Sequence, residues 1–168
     1  MDAAALKAQL KAQMANRALI YLETYEALSS EVGAAKAEAI LSRAIYNRGR
    51  AGGEAFKAFA PNDLAGLKDA FIGGLPGGTD FFQPEVMRCD AEKLELQFHD
   101  CPLKSAWVAA GVPDAKLAVL CRIAGIIDNG TFEAAGFAIE NRTWEPGRTG
   151  CCNLHITPGP QATSGPKA

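Results

Sequence analysis

The chain has 168 residues, 48% of them hydrophobic and 21% charged, with a formal net charge of −2. That is enough chain for one packed domain, and a balance with no basic stripe excludes a nucleic-acid partner, whose phosphates would need one. No apolar run approaches bilayer length, and Met1-Asp2-Ala3-Ala4-Ala5-Leu6-Lys7 lacks the basic start and apolar block of an export signal, so no membrane partner and a cytoplasmic setting are expected.

The first predicted element is a long helix from Asp2 to Ser29, with Leu6, Leu10 and Met14 recurring every fourth residue and Ala18, Tyr21, Leu22 and Tyr25 extending the apolar face. Ser29 and Ser30 offer an N-cap for a second helix from Gly33 to Tyr46, which Asn47-Arg48-Gly49-Arg50-Ala51-Gly52-Gly53 ends. A shorter helix, Glu54 to Phe59, stops before Pro61, and another begins at Asn62-Asp63 and carries Leu64, Leu67 and Phe71. Five residues of Gly73, Gly74, Pro76, Gly77 and Gly78 type then form a connection.

The pattern next turns to period two. Glu85 to Cys89 is one candidate strand, and Leu94, Leu96 and Phe98 alternate with Glu95, Gln97 and His99 in a second, joined to the first by a hairpin at Asp90-Ala91-Glu92. Cys101-Pro102 opens a helix to Ala110, with Pro102 suited to its first turn. Asp114 to Ile127 is a further helix, closed by Asn129-Gly130. Gly136 to Trp144 and Cys151 to Thr157 are the last two strands, and the Pro/Gly/Ser-containing segment 158–168 is expected to be a disordered tail behind a single domain of residues 1–157. Helices first and strands afterwards indicate an α+β fold, with N-terminal helices packed on a small antiparallel sheet and two further helices inserted between strands. The two long N-terminal helices are expected on the sheet's apolar face.

Five cysteines are present, Cys89, Cys101, Cys121, Cys151 and Cys152, with no CxxC pair and only two histidines, His99 and His155. Reduced thiols are the expectation, and a structural zinc site has little support. Cys101 is the strongest candidate for chemistry. A thiol at a helix start has its thiolate favoured by free N–H groups and the helix dipole, and His99 stands two residues away across Asp100. The competing reading is a small buried cysteine that caps the helix.

The segment His99-Asp100-Cys101-Pro102-Leu103-Lys104-Ser105-Ala106 resembles the Cys-Pro element of the L-2-amino-thiazoline-4-carboxylic acid hydrolase family, where a strand runs into a helix. Gly111 and then Leu120-Cys121, Asn141-Arg142-Thr143 before a glycine turn, and Cys152-Asn153-Leu154-His155-Ile156 are similar to the elements that follow. The Tyr46-Asn47-Arg48-Gly49-Arg50 helix ending extends the likeness, which covers most of residues 20 to 157. One position departs: the family commonly carries an acid three residues after the helical cysteine, and here that position is Ala124. Asp128, seven residues after Cys121, lies on the same helical face.

The resemblance implies hydrolysis of a small cyclic imine, in which water or a thiolate adds to the carbon of a C=N bond and the ring opens to an N-carbamoyl thiol. Such chemistry needs a nucleophile, a proton donor for the ring nitrogen and a cation for the substrate carboxylate. Cys101, His99 and Asp128 are the candidate catalytic residues. Cys121, Cys152, Arg142 and Trp107 are the candidate substrate-binding residues, with Arg142 as the carboxylate's cation. Cys121 and Cys152 point inward with the apolar residues of their elements, where packing alone is the commoner role, and three cysteines meeting in one pocket would suggest a thiol-lined or soft-metal site. Arg142 also has a plain alternative, a surface ion pair with Glu140 or Glu145, and Trp107 either walls the pocket or packs. Cys89 and Cys151 look incidental, because a strand puts Cys151 and Cys152 on opposite faces. The reading calls for a small-molecule substrate, no metal and no cofactor, and it leaves a homo-oligomer open. A lyase or isomerase using the same pocket, and a non-catalytic small-molecule-binding domain, are the competing function classes.

Overall fold

The computed structural model describes residues 2–160. Its elements are α1 (Ala3–Val32), α2 (Ala34–Gly52), a 3-10 stretch (Gly53–Phe59), α3 (Leu64–Gly73), a one-turn α4 (Thr79–Phe82), β1 (Pro84–Cys89), β2 (Leu94–Phe98), α5 (Pro102–Ala109), α6 (Asp114–Ala135), β3 (Ala138–Arg142) and β4 (Asn153–Thr157). The four strands form one antiparallel sheet in the order β1-β2-β4-β3. The α+β class follows as the change of period predicts, with α5 and α6 between β2 and β3. Among the described residues, no helix is long and apolar enough to cross a membrane.

Two apolar clusters divide the interior. The first is helical: Met14, Ala18 and Tyr25 of α1, Ala37, Leu41 and Ile45 of α2, and Leu103 and Trp107 of α5 meet the N-terminal half of α6. The second joins the sheet's inward residues Leu94, Leu96, Phe98, Leu154 and Ile156 to Leu64 and Leu67 of α3 and Phe132 of α6. Among the N-terminal helices it is therefore α3, with Phe56 and Phe59 of the 3-10 stretch, that meets the sheet's apolar side. The longer α1 and α2 pack in the helical cluster, against α5 and α6. Leu6 and Leu10, expected on the buried face of α1, are exposed.

Two boundaries differ from the sequence-based expectation for one reason. The glycines read as helix ends, Gly49 and Gly130, lie inside α2 and α6. A Cβ on Gly49 would stand 2.1 Å from the Ile127 carbonyl oxygen, and one on Gly130 would stand 2.2 Å from that of Tyr46. Both glycines are spent on letting two helix backbones touch. The turn between α1 and α2 falls to Gly33 instead, whose φ of 84° favours glycine.

The segment after β4 returns to the domain. The Gly159 N–H donates to the Pro61 carbonyl at 2.9 Å and Gly159 is buried, whereas the remainder of the expected tail, 161–168, lies outside the described residues.

Candidate functional site

The two clusters leave a cavity of about 230 Å³ at their seam. That is below the usual range for drug-sized ligands and suits a small metabolite. Its walls are apolar: Phe82 and Phe98 from the sheet side, and Met14, Leu103 and Trp107 from the helical side. Trp107 is fully buried, and its indole N–H donates to the Ala18 carbonyl at 2.7 Å, so one side chain lines the cavity and fastens α5 to α1.

Four of the five thiols face this space, those of Cys101, Cys121, Cys151 and Cys152. Cys101 occupies the N-cap of α5 in an extended conformation (φ −150°, ψ 119°), directly before Pro102. Its thiol is lowered to about 7. The adjacent Cys151 thiol, acting as a proton donor to the sulfur, is the largest cause, and burial opposes it. The free N–H groups of Lys104 and Leu103 at the helix start add to the lowering, although neither closes a full capping hydrogen bond. The other three move the opposite way. Burial pushes Cys121 up to about 12 and Cys152 well above the usual thiol range, and Cys151 is held high chiefly because it donates to Cys101. Of the four, Cys101 is the thiol that ionises near neutral pH.

Cys121, Ala124, Gly125 and Asp128 present one face of α6 to the cavity, the i, i+3, i+4, i+7 set that a helix brings together. Asp128 therefore reaches the same space as Ala124. Burial raises its carboxyl to about 7, with the Cys101 charge as the second cause. Among the described residues, the carboxyl's one hydrogen-bond partner is Asn141 of β3, whose amide N–H donates to the Gly125 carbonyl at 2.7 Å and to Asp128 Oδ2 at 3.5 Å. Gly125 permits this approach, since a Cβ there would lie 2.5 Å from the Thr143 methyl.

His99 and Arg142 lie elsewhere. His99 follows Phe98 in the alternation of β2, so its ring turns to the other face, where Nε2 meets Glu85 Oε2 at 2.7 Å beside Gln83. A direct Cys101–His99 pair is not formed. Arg142 is exposed and its Nε donates to Glu140 Oε1 at 2.8 Å; it borders a separate polar depression with Arg122 and Arg148. The cation that does line the thiol cavity among the described residues is Arg17 of α1, an exposed residue that the sequence reading did not single out.

Cys151 is the other residue passed over. The reading of a strand from Cys151 placed the neighbouring thiols on opposite faces, but β4 starts at Asn153. The Cys151 N–H donates to the Phe98 carbonyl and the Phe98 N–H to the Cys152 carbonyl, each at 2.8 Å, and in this irregular stretch both thiols reach the cavity. Although the thiols gather here, no three His, Cys, Asp or Glu side chains among the described residues are grouped so as to hold a metal ion.

Fold and cavity together define a class: a small α+β domain with a thiol-lined cavity between a helical layer and an antiparallel sheet. The chain belongs to the L-2-amino-thiazoline-4-carboxylic acid hydrolase family, whose profile matches residues 13–156. Among curated proteins, none matches the chain. The family match takes in every cavity residue named above.

Proposed function

We propose that the chain is a hydrolase of a small C=N heterocycle of the thiazoline-carboxylate kind, with Cys101 as nucleophile and Asp128 as proton donor. The observation that carries this reading is the meeting, in one apolar cavity, of a thiol at a helix start and a carboxyl whose one hydrogen bond among the described residues is long. The electrostatics agree, since both groups are brought to about 7, where a nucleophile and an acid are each usable.

The Cys101 thiolate adds to the C=N carbon, and the ring nitrogen takes the proton of Asp128. The exocyclic amino nitrogen then pushes its electron pair onto that carbon, the bond to the ring sulfur breaks, and the proton shed by the amino nitrogen goes to the sulfur, which leaves as a thiol. The substrate is left as an isothiourea on Cys101. Water adds to the same carbon, the Asp128 carboxylate accepts its proton, and the Cys101 thiolate is expelled. The net change is the addition of one water, and the product is an N-carbamoyl thiol. Trp107, Phe82 and Phe98 give the reacting centre an apolar surround. His99 has no step in this scheme, since its ring faces Glu85.

The test is turnover of 2-aminothiazoline-4-carboxylate by the purified protein, read by chromatography of substrate and product. Cys101→Ala is expected to abolish turnover while the melting temperature changes little, and Cys101→Ser to lower it at least a hundredfold, on the order expected when a thiolate is replaced by a weakly nucleophilic hydroxyl. Full activity of the serine variant would remove the nucleophile role. Tight binding of the heterocycle with recovery of unchanged ligand would turn the reading to a binding domain.

A further inference from the structure

We infer that Cys101 and Cys151 are a peroxide-reactive thiol pair, in which a small hydroperoxide oxidises Cys101 and Cys151 then closes a disulfide with it. This modification needs no substrate, so it stands whether or not the cavity hydrolyses a heterocycle.

The case begins with two backbone segments that cross. Phe98 ends β2 three residues before Cys101, and its carbonyl accepts the Cys151 N–H at 2.8 Å. Gly150 lies so near that a Cβ there would stand 3.0 Å from the same carbonyl oxygen. One turn into α5, Lys104 Nζ donates to the Gly150 carbonyl at 2.8 Å. The helix that starts at Cys101 is therefore tied to the loop that carries Cys151. Cys101 itself is fixed by Asp100, whose Oδ1 accepts the Cys101 N–H at 2.7 Å and the Ser105 hydroxyl at 2.9 Å. Both sulfurs end on the same cavity, and the Cys151 thiol donates to the Cys101 sulfur.

The two thiols are unequal, and the inequality assigns their roles. Cys101 is half-buried and Cys151 is buried, so a reagent in the cavity meets Cys101 first. Cys101 is also the thiol that ionises near neutral pH, and the thiolate is the nucleophile towards a peroxide. Cys151 keeps its proton and already rests against its neighbour, which is the place of a resolving thiol. For Cys121 and Cys152 the influence of Cys101 is that of its charge across the cavity. Cys89 lies outside the cavity lining, with its Sγ 4.0 Å from the Leu64 carbonyl, and serves as an internal reference.

The Cys101 thiolate attacks one oxygen of the hydroperoxide, the O–O bond breaks, and Cys101 becomes a sulfenic acid. With hydrogen peroxide the leaving hydroxide takes a proton and becomes water. The Cys151 thiol then gives up its proton, its sulfur attacks the Cys101 sulfur, and the sulfenic hydroxyl departs with that proton as a second water. Two thiols are oxidised to one disulfide, and one peroxide is reduced to two waters.

The test treats the reduced, full-length protein with a small excess of hydrogen peroxide at pH 7, blocks the remaining thiols, and maps unreduced tryptic peptides by mass spectrometry. The expected product has lost two hydrogen atoms and links Leu94–Lys104, which holds Cys101, to the peptide that begins at Thr149. Fragmentation between Cys151 and Cys152 locates the bond in the parent protein without any variant. Cys152→Ser and Cys121→Ser should keep the link. Cys151→Ser should lose it, leave Cys101 open to dimedone, which traps a sulfenic acid, and let Cys101 pass on to the irreversible sulfinic acid. Dithiothreitol should restore the free Cys101 thiol in the parent and not in the overoxidised variant. A bond from Cys101 to Cys152 or Cys121 in the parent overturns the assignment of Cys151. So does a Cys101 that oxidises no faster than Cys89, or one that reaches the sulfinic acid as readily in the parent as in Cys151→Ser. Each of these results leaves turnover of the heterocycle by the reduced protein to be judged on its own.

Discussion

Asp128 combines two demands that oppose each other. A carboxyl raised to about 7 in the cavity keeps its proton over a pH range in which the unfolded chain has lost it. The folded state then binds more protons than the unfolded state, and stability falls as pH rises from the ordinary carboxyl range towards 7. Cys101 has the other sign: its thiol is depressed to about 7 from near 9, so its contribution is full above 9 and is lost as pH falls through 7. Asp128→Asn removes the first slope alone. The expected outcome is a variant with little or no turnover and a higher melting temperature than the parent at pH 7.5, with the gain shrinking at pH 4.5. Thermal unfolding across that range checks it, and an equal gain at both pH values would show that Asp128 is not a buried, proton-holding group. Part of this arrangement was legible in the sequence. Cys101 at a helix start and the spacing from Cys121 to Asp128 are local patterns, and the fold places these residues on one cavity. Arg17 and Cys151 were not legible. Arg17 reaches the cavity only through the packing of α1 on α5, and Cys151 depends on where β4 begins, a boundary that period two does not fix when the residues before it are small and apolar.

Helix boundaries were the weakest part of the reading at the scale of elements, and the reason is chemical. Glycine near a helix end and glycine at a helix crossing look alike in one chain, because both uses rest on the missing Cβ. Gly49 on α2 and Gly130 on α6 are crossing glycines, each against a backbone carbonyl of the other helix. Alanine at either position gains about 1 kcal/mol of helix propensity. It also drives a methyl to 2.1 or 2.2 Å from a carbonyl oxygen, and overpacking of that kind costs roughly 1–3 kcal/mol or more. Packing wins, so Gly49→Ala and Gly130→Ala are expected to destabilise in chemical denaturation. Gly73, at the end of α3, has nothing within 4 Å of its Cβ position, and Gly73→Ala should be neutral or slightly stabilising. Destabilisation by Gly73→Ala equal to that at Gly49 would mean that the crossing is not the cause. The strands fared better, because Leu94-Leu96-Phe98 and Leu154-Ile156 alternate with polar residues on a sheet buried on one side.

The whole molecule is two cores held together by α6, whose N-terminal half packs in the helical cluster and whose C-terminal half carries Phe132 to the sheet. The cavity lies where neither core is complete, which is why its walls come from elements as distant in sequence as Met14 and Cys152. Order of elements and change of period predicted the class of fold, but not this seam, which is a property of how the two clusters meet. The C-terminal segment shows the same dependence on tertiary contact. Its composition reads as tail from Pro158 onward, yet Gly159 is buried, bonded to Pro61, and so close to Gly136 that a Cβ would stand 1.6 Å from that carbonyl oxygen. A chain ending at Pro158 loses this contact, and one ending at Pro160 keeps it. One hydrogen bond is worth about 1 kcal/mol, which in a domain of this size corresponds to a shift of about 2–4 °C. Ending the chain at Pro158 should therefore lower the melting temperature by that amount relative to ending it at Pro160, and Gly159→Ala in the full chain should lower it at least as much, because the methyl cannot be seated without moving the segment off Gly136. Identical melting temperatures for the two truncations would show that Gly159 rests on the domain without holding it.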